Sequence, residues 1–390
     1  MKHPDFSKHV LAGAPLIGEG NIIDNRAILK ALAGTGMQGF GFYPNGPFVK
    51  LGRNFHIRMS MSTAKTMEYA LSSYATRHSL RVKPLKWELR RAIKKAKNIY
   101  PDAMCFITSQ NMMAEESIGI SGDIPTCMAS SDVLGKYNLE STLSVRQKGI
   151  TYLVWNREAL HLYKNELDLA NVYLIKPVDP MLAFETIEKS NLPFQSALDD
   201  PGICFIKLSG SGGDPGLVNA AIDSLWKKSR VKSIVFPGVE KTERKLIRTV
   251  GGDVTVNTSL DPSIFYHHAR VMISHEHMLL TYPSEQVKHI VILTQNNIFP
   301  KIVWLPPRGV HEMDNLIWAI KKGFSGTVCI PTDYHRLLKR SLITSGIDSF
   351  SMEFIDPDNL SAEHFKPSPV LESENKASSF ESVIKKIVSA

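Results

Sequence analysis

A loop rich in glycine and serine, residues 209–216, is the part of this sequence best suited to binding phosphate. It follows the apolar segment 202–208 and precedes a helix predicted over 217–226. Glycines allow backbone amides to approach an anion, and a helix N-terminus adds a partial positive charge. The loop has neither the Walker A sequence nor full GxGxxG spacing, so a glycine-rich turn without a ligand is the alternative. We expect a diphosphate to bind the backbone and hydroxyl groups of Ser209, Gly210, Ser211, Gly212 and Gly213.

A carboxylate in the same half of the chain is placed to hold the sugar of a nucleotide. Ser284 and Glu285 follow a strand predicted over 271–274 and open a helix. An acidic side chain at a helix start can accept two hydrogen bonds from a ribose diol, as in dinucleotide sites. The same pair is also typical of a helix cap that binds no ligand. We expect Glu285 to bind ribose, with capping as the alternative.

Strand-like and helix-like segments alternate along almost the whole chain, which indicates βαβ units with parallel sheets. A chain of 390 residues exceeds one hydrophobic core, so two domains are expected. A proline-containing stretch between 177 and 201 interrupts the alternation, and we place the linker there. The sequence therefore predicts an α/β protein with Rossmann-like domains at 1–180 and 201–345. A tail with an amphipathic helix follows at 346–390.

The net charge of +8 arises from one basic region, because Lys and Arg outnumber Asp and Glu thirteen to two between Lys50 and Lys97. Within it, a helix predicted over 84–100 has an apolar stripe opposite a strongly cationic face. A solvated charged face is one interpretation, and contact with nucleic acid is another. We expect this face to bind an anionic membrane surface through four side chains: Arg90, Arg91, Lys94 and Lys95.

Neither a membrane span nor a secretory signal is visible. No apolar run approaches the ~20 residues needed to cross a bilayer, and the N-terminal residues MKHPDFSKHV lack an apolar segment. The four cysteines lie far apart without CxxC spacing. We expect a cytoplasmic protein, either soluble or peripheral to a membrane.

Taken together, these motifs resemble the GT-B glycosyltransferases, above all the lipid-acceptor N-acetylglucosaminyltransferase of peptidoglycan synthesis and related UDP-sugar transferases. The shared features are two Rossmann-like halves, a Gly/Ser loop opening the second half and the Ser284–Glu285 pair. A proline-bounded strand at 299–306 and the residues Asn315, Ala319 and Gly323 also fit. The resemblance implies two domains that face a cleft and a last helix that crosses back to the first domain. It assigns donor binding to the second half, including Asn315, and acceptor binding to the first.

The first half departs from this family at one position. Many inverting members have a Gly-His pair after the first strand, and Asn21 stands where the histidine would be. A neutral amide does not take up a proton, so we expect Glu19 or Asp24 to be the general base. The alternative is that Asp24 caps the helix or pairs with Arg26. The acceptor would lie near Gly18, Gly20 and Asn21.

The expected donor site also includes His275 and Glu276, which directly follow the predicted strand at 271–274. The family often uses this position to contact the donor sugar or phosphate. With His277 these two residues form an HEH sequence, which invites a metal interpretation. HEH is not the HExxH motif, however, and no fourth ligand is evident. We therefore expect neither a metal ion nor a cofactor.

These features predict a glycosyltransferase that moves a sugar from a nucleotide donor to an unidentified acceptor. We expect the donor to be UDP-linked, and a lipid-linked molecule is one candidate for the acceptor. The reaction would be inverting and metal-independent. One alternative is another GT-B enzyme, such as a nucleotide-sugar epimerase or hydrolase, which needs no acceptor. The other is a non-catalytic module that binds a nucleotide sugar or a polyanion.

Overall fold

The chain forms two compact units. The computed structural model describes residues 9–16, 19–71, 82–122, 124–130, 132–133, 149–167, 169–185, 193–194, 202–249, 253–259, 261–272, 277–371 and 377–389. The first unit comprises Met1–Phe55, Ser73–Glu185 and Glu374–Ala390. The second comprises His56–Ser72 and Thr186–Ser373. A short segment from the first part of the sequence therefore belongs to the second unit.

The first unit contains a parallel six-stranded sheet in the order β2-β1-β3-β4-β5-β6. Its strands are β1 (His9–Gly13), β2 (Gln38–Phe42), β3 (Ala103–Thr108), β4 (Thr126–Ala129), β5 (Ile150–Val154) and β6 (Val172–Leu174). Its helices are α1 (Glu19–Ala33), α2 (Pro47–Ser60, whose last turn belongs to the second unit), α4 (Val82–Ile99), α5 (Asn111–Ser121), α6 (Arg157–His161) and α13 (Phe380–Ser389). Successive residues Val10 and Leu11 lie in different apolar clusters, because side chains of a strand alternate between the two faces.

The last helix completes the core of the first unit. Phe380 and Ile384 of α13 are buried in the same apolar cluster as Val10 of β1 and Leu32 of α1. The predicted return of the C-terminal helix to the first domain is therefore confirmed.

The second unit contains seven parallel strands in the order β13-β12-β11-β10-β7-β8-β9, with β14 antiparallel to β11. They are β7 (Ile203–Lys207), β8 (Lys232–Phe236), β9 (Val254–Val256), β10 (Met278–Thr281), β11 (Lys301–Trp304), β12 (Thr327–Cys329), β13 (Glu353–Ile355) and β14 (Lys366–Pro367). The helices are α3 (Thr63–Leu71), α7 (Pro215–Ser229), α8 (Glu240–Thr249), α9 (Pro262–Met272), α10 (Gln286–Gln295), α11 (Val310–Lys321) and α12 (His335–Thr344). Strand β7 is buried along its whole length, as expected for a parallel strand between helical layers.

The predicted α/β class with two Rossmann-like halves is confirmed, and one predicted strand is wrong. Residues up to Met272, which include the start of the predicted 271–274 strand, belong to helix α9. The strand before Ser284 is β10, at Met278–Thr281. Helix α9 is buried at several successive positions, including Ile264, Phe265 and Tyr266, so its sequence lacks a clear polar face. Among the helices in the described ranges, each is too short or too polar to cross a bilayer.

Candidate functional site

The candidate donor site lies at the carboxyl edge of the second sheet. Strand β7 comes first in this unit, and its neighbours are β8 on one side and β10 on the other. The chain order therefore reverses between β7 and β10, and ligands of open α/β sheets bind at such a switch point. The loops that follow β7, β10 and the adjacent β11 carry Ser209–Gly213, Ser284–Glu285 and Arg308 respectively.

The Gly/Ser loop is held in a tight turn by its own groups. The Gly212 amide donates to the Ser209 carbonyl at 2.7 Å, and the Ser211 amide donates to Ser209 Oγ at 3.1 Å. Gly212 has φ of +84°, and a Cβ there would lie 2.3 Å from Thr242 Oγ1. Glycine is needed at this position because of both the backbone angle and the close approach.

Asp214 joins two helix N-termini through one carboxylate. Its Oδ1 accepts from the Gly216 and Leu217 amides of α7 at 3.0 and 3.4 Å. Its Oδ2 accepts from the amide and the hydroxyl of Thr63, the first residue of α3, at 2.8 and 2.9 Å. The partial positive charges of both helix ends therefore face a carboxylate that the protein itself supplies.

An arginine with a largely buried side chain lies directly against the Gly/Ser loop. Arg308 Nη1 donates to the Gly212 carbonyl at 3.0 Å and to Ser211 Oγ at 3.3 Å, and it also donates to Ser209 Oγ. Arg308 Nη2 pairs with Glu312 Oε1 at 2.5 Å, and the Arg308 amide donates to Glu312 Oε2 at 2.7 Å. The guanidinium carbon lies 4.0 Å from the centre of the Tyr282 ring. Three groups thus fix the orientation of this side chain.

Burial and charge both act on the titrating groups of this cluster. Burial raises the pKa of Tyr282 to about 12, although the charge of Arg308 opposes this shift. Burial also disfavours ionisation of Glu312, but the charge of Arg308 and the hydrogen bonds from it lower the pKa of this carboxyl below its ordinary value. Arg308 and Glu312 are therefore a charged pair at neutral pH, with side chains 9% and 1% exposed.

Ser284 and Glu285 lie on the neighbouring loop, and Glu285 makes no capping bond. It occupies the N-cap position of α10 without a side-chain hydrogen bond to the helix amides. Its nearest hydrogen-bond partner is Gln286 Nε2 at 3.5 Å from Glu285 Oε1, a long contact. Among the described residues, the buried Ser284 hydroxyl has no hydrogen-bond partner, while the Ser284 carbonyl accepts from Asn315 Nδ2 at 3.2 Å. The structure brings Ser284, Glu285 and Asn315 together but gives Glu285 no evident capping role.

The first unit has its own switch point, between β1 and β3. Asn21, in the first turn of α1, accepts at Oδ1 from the Ser109 hydroxyl at 3.2 Å, and Ser109 follows β3. Asp24 is on the next turn and is 5% exposed. Arg26 hydrogen-bonds to Tyr43, whose pKa burial raises. Gly20 belongs to α1, whereas Gly18 and the side chain of Glu19 lie outside the described residues, as do His275 and Glu276.

The basic helix α4 is partly neutralised by acidic residues of α5. Lys86 Nζ lies 2.8 Å from Glu115 Oε2, and Arg90 forms an ion pair with Glu116. Arg91, Lys94 and Lys95 are exposed. Three of the four predicted membrane-binding side chains therefore face solvent without an evident acidic partner among the described residues.

The sequence alone did not identify four residues that lie in the candidate donor site: Arg308, Glu312, Tyr282 and Asp214. A usable signal was present, because Arg308 follows β11 and Tyr282 follows β10, and the carboxyl ends of parallel strands share one edge of a sheet. The contribution of Thr63 had no such signal, since its sequence position lies in the first half of the chain.

Comparison with known proteins gives structural likeness without sequence likeness. No protein-family model matches the chain, and no curated protein matches its sequence. A UDP-N-acetylglucosamine 2-epimerase from Rickettsia bellii is 10% identical with a TM-score of 0.53, covering 90% of this chain and 92% of its own. MnaA of S. aureus, solved with UDP, is 11% identical with a TM-score of 0.52 and covers 92% of both chains.

A UDP-glucosyltransferase from Polygonum tinctorium that glucosylates indoxyl is 13% identical with a TM-score of 0.53, covering 84% of this chain and 86% of its own. Transferases and epimerases thus match this chain to the same extent. At this level of identity the likeness concerns the fold, which agrees with the two parallel sheets and their switch points. The chain has the GT-B fold.

Proposed function

We propose that the protein is a GT-B enzyme that transfers a sugar from a nucleotide donor to an acceptor hydroxyl, with inversion and without a metal ion. The observation that carries the proposal is the convergence of the Gly/Ser loop, Glu285 and Arg308 at the switch point of the second sheet. These groups have the chemistry that a nucleoside diphosphate requires: donors and a cation for phosphate, and a carboxylate for ribose.

Ribose binding is the role that fits Glu285, because a carboxylate without capping bonds keeps its acceptor oxygens for a ligand. The buried Ser284 hydroxyl next to it, which has no partner in the part of the chain that the structure describes, also offers a donor and an acceptor. A UDP-linked donor is supported by the relatives, since MnaA was solved with UDP and the Polygonum enzyme is a UDP-glucosyltransferase. His275, Glu276 and Asn315 remain in the proposed donor site.

Acceptor binding is assigned to the first unit, near Gly18, Gly20 and Asn21. The position of Asn21 beside Ser109 at the β1/β3 switch point supports this assignment. Asp24 is the proposed general base, with Glu19 as the alternative. The base would take the proton of the acceptor hydroxyl while that oxygen bonds to the anomeric carbon and the nucleoside diphosphate leaves with the electron pair of the broken bond.

Incubation with a nucleotide sugar labelled in its sugar separates the proposal from its two alternatives. The acceptor is supplied as a mixture of lipid-linked and soluble sugars, and a transferase should attach the label to one of them. An epimerase is the second candidate because the matched structure from Rickettsia bellii is a UDP-N-acetylglucosamine 2-epimerase. Such an enzyme would isomerise the labelled sugar without an acceptor. Binding without turnover would indicate a non-catalytic module and contradict the proposal.

An anionic membrane is the proposed partner of α4. Reversing the charge of Arg91, Lys94 and Lys95 should reduce binding to phosphatidylserine-containing vesicles, and added salt should weaken binding of the wild type. A matched control is the same reversal on α12 at Arg336, Lys339 and Arg340, which are also exposed and have the same spacing. Equal loss in both variants, or wild-type binding to nucleic acid instead of vesicles, would reject the membrane assignment.

A further inference from the structure

The backbone of the Gly/Ser loop is largely occupied, which raises the question of what would neutralise a diphosphate. The amides of Ser211 and Gly212 bond within the loop, and the first amides of α7 bond to Asp214. Within the described residues, the loop amides of Gly210 and Gly213 have no acceptor. Two amides and the hydroxyls of Ser209 and Ser211 would leave most of the charge of a diphosphate unbalanced.

Formal charges around the loop are mostly negative. Asp214 caps two helices, Glu312 pairs with Arg308, and Glu285 is close enough to act on the Arg308 charge. In the part of the chain that the structure describes, Arg308 is the cationic side chain that hydrogen-bonds to the loop. Without this guanidinium, the charged side chains named here would be three carboxylates, which repel a diphosphate.

Arg308 is oriented before any ligand arrives. Glu312 binds one edge of the guanidinium, the Tyr282 ring covers a face, and Nη1 points at Ser209, Ser211 and the Gly212 carbonyl. Those oxygens are neutral, so a phosphate oxygen would make a stronger, charge-assisted bond in their place. A pre-oriented and largely buried cation loses little entropy on binding, and its charge is weakly screened.

We propose that Arg308 is the residue that binds the diphosphate of the donor and stabilises the negative charge that develops on the leaving nucleoside diphosphate. Glu312 is a positioning residue that holds the guanidinium against the loop. The inference rests on the proposed function, since it takes a nucleoside diphosphate as the ligand. It assigns phosphate binding chiefly to a side chain after β11, whereas the sequence pattern assigns it to the backbone amides after β7.

Calorimetry with UDP, inorganic pyrophosphate and uridine tests the assignment on the full chain. Arg308→Gln should weaken binding of UDP and pyrophosphate by about 10- to 100-fold, as expected when a hydrogen-bonded charge is lost. Uridine affinity should stay within about twofold, because the nucleoside carries no phosphate. Arg308→Lys should retain more UDP affinity than Arg308→Gln, because the lysine keeps the charge and loses only the fork geometry.

Two further variants guard against a folding artefact. Arg308→Gln combined with Glu312→Gln removes both charges, so that no carboxylate is left buried and unpaired, and it should still lose UDP affinity. The control Arg244→Gln breaks an exposed ion pair with Glu240, whose partners are also four residues apart and lie in the same unit. It should leave the affinities for UDP and pyrophosphate unchanged. Equal losses in the Gln and Lys variants would indicate a merely structural role and overturn the inference.

Each remaining outcome separates the inference from the proposed function. UDP binding by Arg308→Gln within about twofold of the wild type would overturn the inference and leave the nucleotide-sugar proposal standing. A wild type that binds pyrophosphate through Arg308 but ignores UDP would contradict the proposed function and support the anion site. A wild type that binds neither ligand would overturn both.

Discussion

Glu285→Ala separates ribose binding from helix capping, the two roles that the sequence leaves open for this carboxylate. The structure places Glu285 at the N-cap of α10 without a hydrogen bond to the helix amides. Its charge can still interact with the helix macrodipole, which is worth about 0.3–1 kcal/mol. We therefore expect the free energy of unfolding to fall by no more than about 1 kcal/mol.

The expected effect on binding is larger. A hydrogen bond to a charged group contributes about 1.5–3 kcal/mol, which corresponds to an affinity for UDP that is about 10- to 150-fold weaker in the variant. If the lost bonds go to ribose hydroxyls, then removing a hydroxyl from the ligand should have a similar effect on the wild type. The same deletion should matter little in Glu285→Ala, because the acceptor is already gone.

The assay is a thermodynamic cycle measured by calorimetry with UDP and 2′-deoxy-UDP on both proteins, together with urea unfolding. Asp214→Ala is a useful contrast in the unfolding experiment, since Asp214 does cap two helices. Additive effects of the ligand change and the Glu285 change would show that the carboxylate does not contact the 2′-hydroxyl. Unchanged UDP affinity with a stability loss above about 1 kcal/mol would show that Glu285 is only a cap.

Three other predictions concern the loop, the base and acid stability. Gly212→Ala should lower the free energy of unfolding, measured by urea titration, by about 2–5 kcal/mol, because of the left-handed backbone and the close contact with Thr242. The control Gly216→Ala in α7 should be neutral or stabilising by up to about 1 kcal/mol, and equal effects of the two changes would refute the need for glycine at 212. Asp24→Asn should lower kcat about 10²- to 10⁴-fold with unchanged donor affinity in steady-state kinetics, and retention of more than about a third of kcat would exclude it as the base. The pKa of Glu312 is lowered in the folded state, so its charge stabilises the fold above the ordinary pKa of 4.5, and this stabilisation is lost as the pH falls further. Glu312→Gln should therefore lower the free energy of unfolding at pH 7 and lower it less at pH 4. A difference in unfolding free energy between variant and wild type that does not change with pH would refute the charged pair.

Periodicity and turn chemistry were sufficient for the architecture. Long buried strands such as Ala103–Thr108 and the helix after the Gly/Ser loop are visible because apolar runs and glycine-rich turns have short-range causes. Strand β2 lacks such a signal because its sequence, QGFGF, contains two glycines, which weaken a strand pattern. The supposed strand at 271–274 overlaps a buried helix, and a helix buried on several sides shows no amphipathic period.

The site was predicted in part for the same reason. The Gly/Ser loop and the Ser284–Glu285 pair are local motifs, so the sequence displays them directly. The guanidinium that meets the loop comes from residue 308, and the hydroxyl that meets Asp214 comes from residue 63. Contacts between distant segments depend on strand order and packing, and a single sequence carries no direct record of either.

The return of α13 to the first unit has a consequence for the order in which the chain can fold. Synthesis on the ribosome generally allows an N-terminal domain to fold before the next domain emerges. Here Val10 shares its core with Phe380 and Ile384, so the first unit lacks part of its apolar interior until the last helix has been translated. The second unit, which takes only His56–Ser72 from early in the chain, can complete its core sooner. Emergence of α13 from the ribosome, and not emergence of residue 185, should therefore be the event that commits the first unit to its native state.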